Sequence, residues 1–163
     1  MVLWYRVFRN AAYINALISV IWTVLLIIPS PPFSYLLVIV ERGGPGTWFL
    51  VAYFLYLIAG SVGFAGISSM LYIMEVLEKR SMNRIAMYIG FSFSYIGVLL
   101  SSVMLGVAGE IGGYEMYLAD YPETRVASLL SSFVYPITFT AFLAVIGIIV
   151  IIIALMSSRA QSG

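Results

Sequence analysis

The chain has 163 residues, 63% of them hydrophobic and only 9% charged, with a net charge of +1 and a mean hydropathy of +1.06. A small fold leaves much of its surface in its solvent, so this much apolar surface needs lipid as the solvent, and one bilayer-embedded domain over residues 1–163 is expected. With no cysteine, disulfides and thiolate chemistry are excluded; with no histidine, the usual haem, copper and zinc ligand and the commonest general base are missing; and the near-neutral charge gives no footprint for nucleic acid.

Residues 1–10 read as an interfacial lead, with Trp4 and Tyr5 suited to the headgroup layer and Arg6 and Arg9 to the cytoplasmic side. The apolar run that follows is too long for the core of a signal peptide, and no small-residue cleavage site follows it. The first predicted span covers about 11–29 and ends at Pro29-Ser30-Pro31-Pro32, because proline lacks the N–H and clashes with the preceding turn. Phe33 to Val40 is apolar again, and is either a broken continuation of that helix or a re-entrant or interfacial piece. Glu41 to Gly46 is a loop by its glycines and proline.

The second span is expected over about 47–76. It carries Gly60, Gly63 and Gly66 with small residues nearby, which in a membrane let a neighbouring backbone come close, so these three glycines are the expected helix-packing or partner face. A charged loop, 77–84, precedes a third span at about 85–108. Residues 109–125 read as an acidic loop with Glu110, Glu115, Asp120 and Glu123. The fourth span covers about 126–156, with a kink expected at Pro136. The fold class is therefore all-α, a polytopic membrane protein with four transmembrane helices.

Four spans put both termini on one side. Arg6, Arg9, Lys79, Arg80, Arg84 and Arg159 fall on that side, and Arg42 and Arg125 on the other, so the positive-inside rule places both termini in the cytoplasm. Every charge lies in or near a loop. Glu75 comes closest to the membrane interior and reads as a helix-end carboxylate near Lys79. The tyrosines and serines of the spans read as packing and hydrogen-bonding groups, and the outward carboxylates as a solvated acidic face. From the residues alone there is no catalytic centre, metal site or cofactor.

The run Pro45-Gly46-Thr47-Trp48-Phe49-Leu50-Val51-Ala52-Tyr53-Phe54-Leu55-Tyr56 is followed in order by Tyr95-Ile96-Gly97, Leu105-Gly106-Val107-Ala108-Gly109, Asp120-Tyr121-Pro122-Glu123 and Ser131-Ser132. Together these resemble the C-terminal third of subunit I of the haem–copper oxidases. In that family a His-Asp-Thr-Tyr-Tyr loop leads into Val-Ala-His-Phe-His-Tyr, whose two histidines each ligate a different haem iron. Positions i and i+2 of a helix point about 200° apart, so one helix serves two haems.

Here those positions are Tyr53 and Leu55. Leucine cannot ligate iron, and tyrosine does so only as tyrosinate. Glu110-Ile111-Gly112-Gly113 stands where the family has the arginine pair that neutralises haem propionates.

The resemblance implies a shortened, cofactor-free relative acting as a non-catalytic accessory or structural subunit of a terminal-oxidase-type respiratory complex. Its expected partners are other membrane subunits and lipid, in a prokaryotic cell membrane. The alternatives are a lipid- or quinone-binding protein using the vacated haem volume, and an assembly factor. An oxidase or electron-transfer enzyme in its own right would need iron ligands the chain does not have, and a small transporter would need a midplane polar site.

Overall fold

The computed structural model describes residues 3–28 and 34–160. They form an all-α protein with helices α1 (Trp4–Ile27), α2 (Ser34–Arg42), α3 (Gly46–Leu77), α4 (Arg84–Tyr117) and α5 (Glu123–Met156). All but α2 are long and apolar enough to cross a membrane, which makes this a multi-pass membrane protein with four candidate spans. At about 1.5 Å per residue, α1 is about 36 Å long and α4 and α5 are each about 51 Å, against a hydrocarbon core of about 30 Å. The two longest helices must tilt or project beyond the bilayer.

Pro29 to Phe33 lie outside the described residues. The apolar piece that follows them is α2, a nine-residue helix. Crossing takes about 20 residues, so α2 does not span. It is docked instead on the ends of α3 and α4: Leu36 and Ile39 are buried, Tyr35 donates a hydrogen bond to Glu110, and the Arg42 guanidinium donates to the Tyr117 carbonyl at 3.2 Å. The turn from α2 to α3 passes through Gly43 and Gly44, both at positive φ (75° and 51°), where a side chain would be strained.

Residues 109–117, expected as loop, continue α4 as helix. Their glycines do not break it. A Cβ on Gly109 would meet the Phe49 backbone, one on Gly112 would meet Pro45 and Leu130, and one on Gly113 would meet Ile39. Glycine here permits close packing against α2, α3 and α5, which compensates for its poor helix propensity. Asn83 starts α4 as an N-cap, its side chain accepting from the amides of Ile85 (3.0 Å) and Ala86 (3.2 Å).

The most extensive helix contact is between α4 and α5. It is a seam of small residues in which Gly90 and Gly97 of α4 face Gly147 and Ala144 of α5 at backbone-to-backbone distance. Without a hydrophobic drive between helices in lipid, this close van der Waals contact is what holds the pair.

At the end carrying the α1 N-terminus, an aromatic cluster closes the bundle. Phe8, Phe64, Phe91 and Tyr95 stack or meet edge to face with centroids 5.0–6.0 Å apart. At this same end Arg80–Ser81 and Arg159–Ala160 pair as a two-residue antiparallel bridge.

Candidate functional site

The stretch that carries the resemblance opens α3, and its inward side chains meet α1. Tyr53 points at α1 and Leu55 away from it, as their two-residue spacing requires. The Tyr53 hydroxyl lies 2.8 Å from Thr23 Oγ1, and Thr23 donates its own proton to the Ser19 carbonyl at 2.8 Å. Tyr53 is therefore the donor, and its phenol proton is taken up. Its ring packs edge-on to Trp22, 6.2 Å between centroids. Trp22 also meets Phe49 (5.6 Å) and Tyr56 (6.0 Å), so one indole of α1 packs against three aromatic rings of α3, with an apolar cavity of roughly 280 Å³ beside Trp22 and Phe49. Leu55 lies on the outer side, in a shallow apolar dent with Val51, Phe54, Ile58 and Ala59.

These residues do not fit a haem. Leu55 has no donor atom, and Tyr53 has its oxygen bonded to Thr23 and its ring packed against Trp22. Among the described residues no three of His, Cys, Asp and Glu come together as a metal site.

One turn further along, α3 widens into a π segment from Tyr56 to Gly63. Such segments leave backbone groups poorly served by their own helix, and they recur at functional positions. Asn15 of α1 serves this one. Its Nδ2 donates to the Gly60 carbonyl at 2.7 Å, and its Oδ1 accepts from the Tyr56 hydroxyl at 2.7 Å. Asn15 and Tyr56 are almost wholly buried, at 1% and 2% exposure. Ser19, which donates to the Asn15 carbonyl at 2.9 Å, receives a long contact of 3.4 Å from Ser61. A continuous neutral polar seam thus runs between α1 and α3 through Asn15, Ser19 and Thr23.

Sequence reasoning passed over this seam, although Asn15, Ser19 and Thr23 recur every fourth residue and so share one helix face.

The three glycines singled out from the sequence do not act together. Gly60 is buried against Asn15, within the chain. Gly63 and Gly66 are exposed, and a Cβ on Gly66 would meet nothing within 4 Å. Among the described residues the closest glycine packing lies instead at Gly46, Gly97, Gly109, Gly113 and Gly147.

Glu75 also has a different partner from the one expected. Its carboxylate accepts from the backbone amides of Trp4 and Tyr5, both at 3.1 Å, and so caps the first turn of α1 where the helix dipole favours negative charge.

Two of the four carboxylates read as a solvated outer face are engaged, whereas Asp120 and Glu123 are exposed. Glu110 accepts from Tyr35, Glu115 approaches Arg125 at 3.9 Å, and Glu123 sits in the first turn of α5. The bond to Glu110, with burial adding to it, pushes the Tyr35 phenol up to about 12.

Two of the motif stretches come together in space. Leu105 to Gly109 lies along the α3 opening: a Cβ on Gly106 would touch Trp22 and Ala52, and one on Gly109 the Phe49 backbone. Asp120 to Glu123 forms the turn into α5, with Asp120 at φ 54° and Pro122 at the N-cap. Compared with protein-family models, with curated proteins and with solved structures, the chain matches none.

Proposed function

We propose that this chain is a non-catalytic, cofactor-free subunit of a membrane respiratory complex of the terminal-oxidase type, related to the C-terminal helices of haem–copper oxidase subunit I. The observation that carries the proposal is the packing of its motifs. Two stretches about fifty residues apart, Pro45–Tyr56 and Leu105–Gly109, each resemble the family in sequence, and they lie against each other through Phe49, Ala52, Gly106 and Gly109. At the first former ligand position, Tyr53 serves as a packing and hydrogen-bonding group.

Gly63, Gly66 and the outward apolar side chains of α5 are free to meet neighbouring subunits and lipid. The basic residues gather where α1 begins, α3 ends and α4 begins, and on the positive-inside rule that end is cytoplasmic, with both termini there. The proposed location is a prokaryotic cell membrane.

Affinity capture of this chain from gently solubilised native membranes tests the proposal, with the visible spectrum and the co-purifying proteins both recorded. A haem-bearing oxidase should come down with it, and the chain should be colourless once separated. Capture of the chain alone, in stoichiometric isolation from any oxidase, would overturn it.

A further inference from the structure

Beside the line on which α1 and α3 meet, from the Asn15 seam to Ser68 and Glu75, lies an open groove of roughly 860 Å³. On α1 it runs from Tyr5 to Ala16, and on α3 from Ile73 back to Ser61. Eleven or twelve residues at about 1.5 Å each make it about 17 Å long, close to the hydrocarbon depth of one leaflet, about 15 Å. Its two ends differ. The deep end is lined by Ala16 and Val62. The end at the α1 N-terminus is lined by Tyr5, Arg9 and Tyr72, which suit the headgroup layer.

The walls offer little to a polar ligand. Ser68 donates to the Tyr5 carbonyl at 2.8 Å, Ser69 to the Ala65 carbonyl at 3.1 Å, and Ser61 contacts Ser19, so the three serine hydroxyls of the lining are turned to protein partners. The headgroup end is cationic. The Arg6 and Arg9 guanidiniums lie 5.7 and 5.8 Å from the centre of the Tyr5 ring, and neither is in an ion pair among the described residues. Glu75, the nearby carboxylate, has both oxygens committed to backbone amides.

We propose that this groove holds one acyl chain of an anionic membrane lipid, with Arg9 and Arg6 meeting the headgroup phosphate. The small residues of the floor, Ala12, Ala65 and Ser69, leave the width a chain needs. The site is separate from the former ligand positions, and it depends on the membrane fold and not on the proposed respiratory role.

The test is native mass spectrometry of the full-length chain in mild detergent, offered phosphatidylglycerol and phosphatidylcholine of identical acyl chains. Each arginine near an anionic headgroup contributes a factor of about five in affinity. The wild type should therefore retain one phosphatidylglycerol with about thirtyfold preference. Arg9→Gln should lower that preference about fivefold, and Arg6→Gln/Arg9→Gln should bring it near parity.

Ala65→Phe and Ser69→Leu, both at exposed positions, should reduce retention of both lipids while leaving circular dichroism and melting unchanged. Equal retention of the two lipids by the wild type would overturn the proposal. So would undiminished binding in both groove-filling variants, or a stoichiometric polypeptide that those variants displace in place of lipid.

Discussion

Gly97→Ala tests whether the α4–α5 seam holds the bundle. A Cβ at Gly97 would lie 2.4 Å from the Ala144 amide nitrogen and 2.7 Å from both Ala144 Cα and the Thr140 carbonyl oxygen, whereas ordinary contact begins near 3.4 Å. All three atoms belong to backbone, so no side chain can swing away, and the helices must part by about 1 Å along that line. A gap of that size forfeits about a quarter to a half of each dispersion contact it opens. In lipid no hydrophobic term makes up the loss.

Overpacking of this kind costs about 3 kcal/mol at the upper end of its range. Replacing glycine by alanine inside a helix returns about 1 kcal/mol, so the net cost is about 2 kcal/mol. The assay is reversible unfolding in mixed micelles, followed by circular dichroism and tryptophan fluorescence. Gly66→Ala is the control, because its Cβ meets nothing within 4 Å; it should be neutral or stabilising by up to about 1 kcal/mol. If Gly97→Ala proves as stable as Gly66→Ala, backbone proximity at this seam is not what limits stability, and the reasoning fails.

Asn15→Leu should cost about 2–4 kcal/mol in the same assay, since it strands both the Gly60 carbonyl and the Tyr56 hydroxyl in an apolar interior, whereas Tyr56→Phe should cost about 1 kcal/mol. Glu75→Ala should lose about 1–2 kcal/mol by uncapping α1, with Glu75→Gln, which can still accept, falling between; equal stability of all three would remove the cap from the account. Raising the Tyr35 phenol to about 12 means the folded state holds that proton more tightly than the unfolded chain does, whose tyrosine ionises near 10. The contribution is full below about pH 10 and is lost as pH rises through about 12. Tyrosinate absorbance should lose part of its amplitude near pH 12 in Tyr35→Phe, with the steps near pH 10 unchanged, and loss of amplitude near pH 10 instead would contradict the Tyr35–Glu110 bond. Gly97→Ala/Gly147→Ala should cost less than the sum of its parts, because helices already parted by one clash meet the second more easily.

The spans were legible because lipid imposes a length and a composition that few other environments do. The boundaries were less so, and the reason is specific. Gly109, Gly112 and Gly113 carry the signal of a loop in water, yet in a membrane bundle the same glycines mark where a helix is pressed against Phe49, Pro45 and Ile39. Composition alone does not distinguish the two meanings.

The glycine cluster at 60–66 shows the same difficulty in reverse: glycine is dense there, while the most extensive seam uses single glycines seven residues apart in α4, Gly90 and Gly97, against Gly147 in α5. Glu75 was recognised as a helix-end carboxylate, but its partner, the start of α1, lies 70 residues away in sequence. Contacts at that separation are fixed by topology.

The two halves of the bundle are held by different physics, and the difference bears on what each can tolerate. Between α4 and α5 the contact is small-residue packing, which has no reserve: any added atom meets backbone. Between α1 and α3 the contact is directional. Asn15 supplies a donor and an acceptor to a stretch of α3 whose own hydrogen-bond ladder is widened, and this is how irregular backbone survives at membrane depth.

That second seam lies one turn from Tyr53 and Leu55, beside the rings that pack on Trp22. If the chain descends from a protein that carried a haem there, the loss of the ligand had to be met by side chains that fill the volume and satisfy the polar groups left behind. Trp22, Thr23 and Asn15 are the residues of α1 that meet those two demands. Substituting them should unsettle the fold more than substituting Leu55, which is half-buried and lines an outer apolar dent.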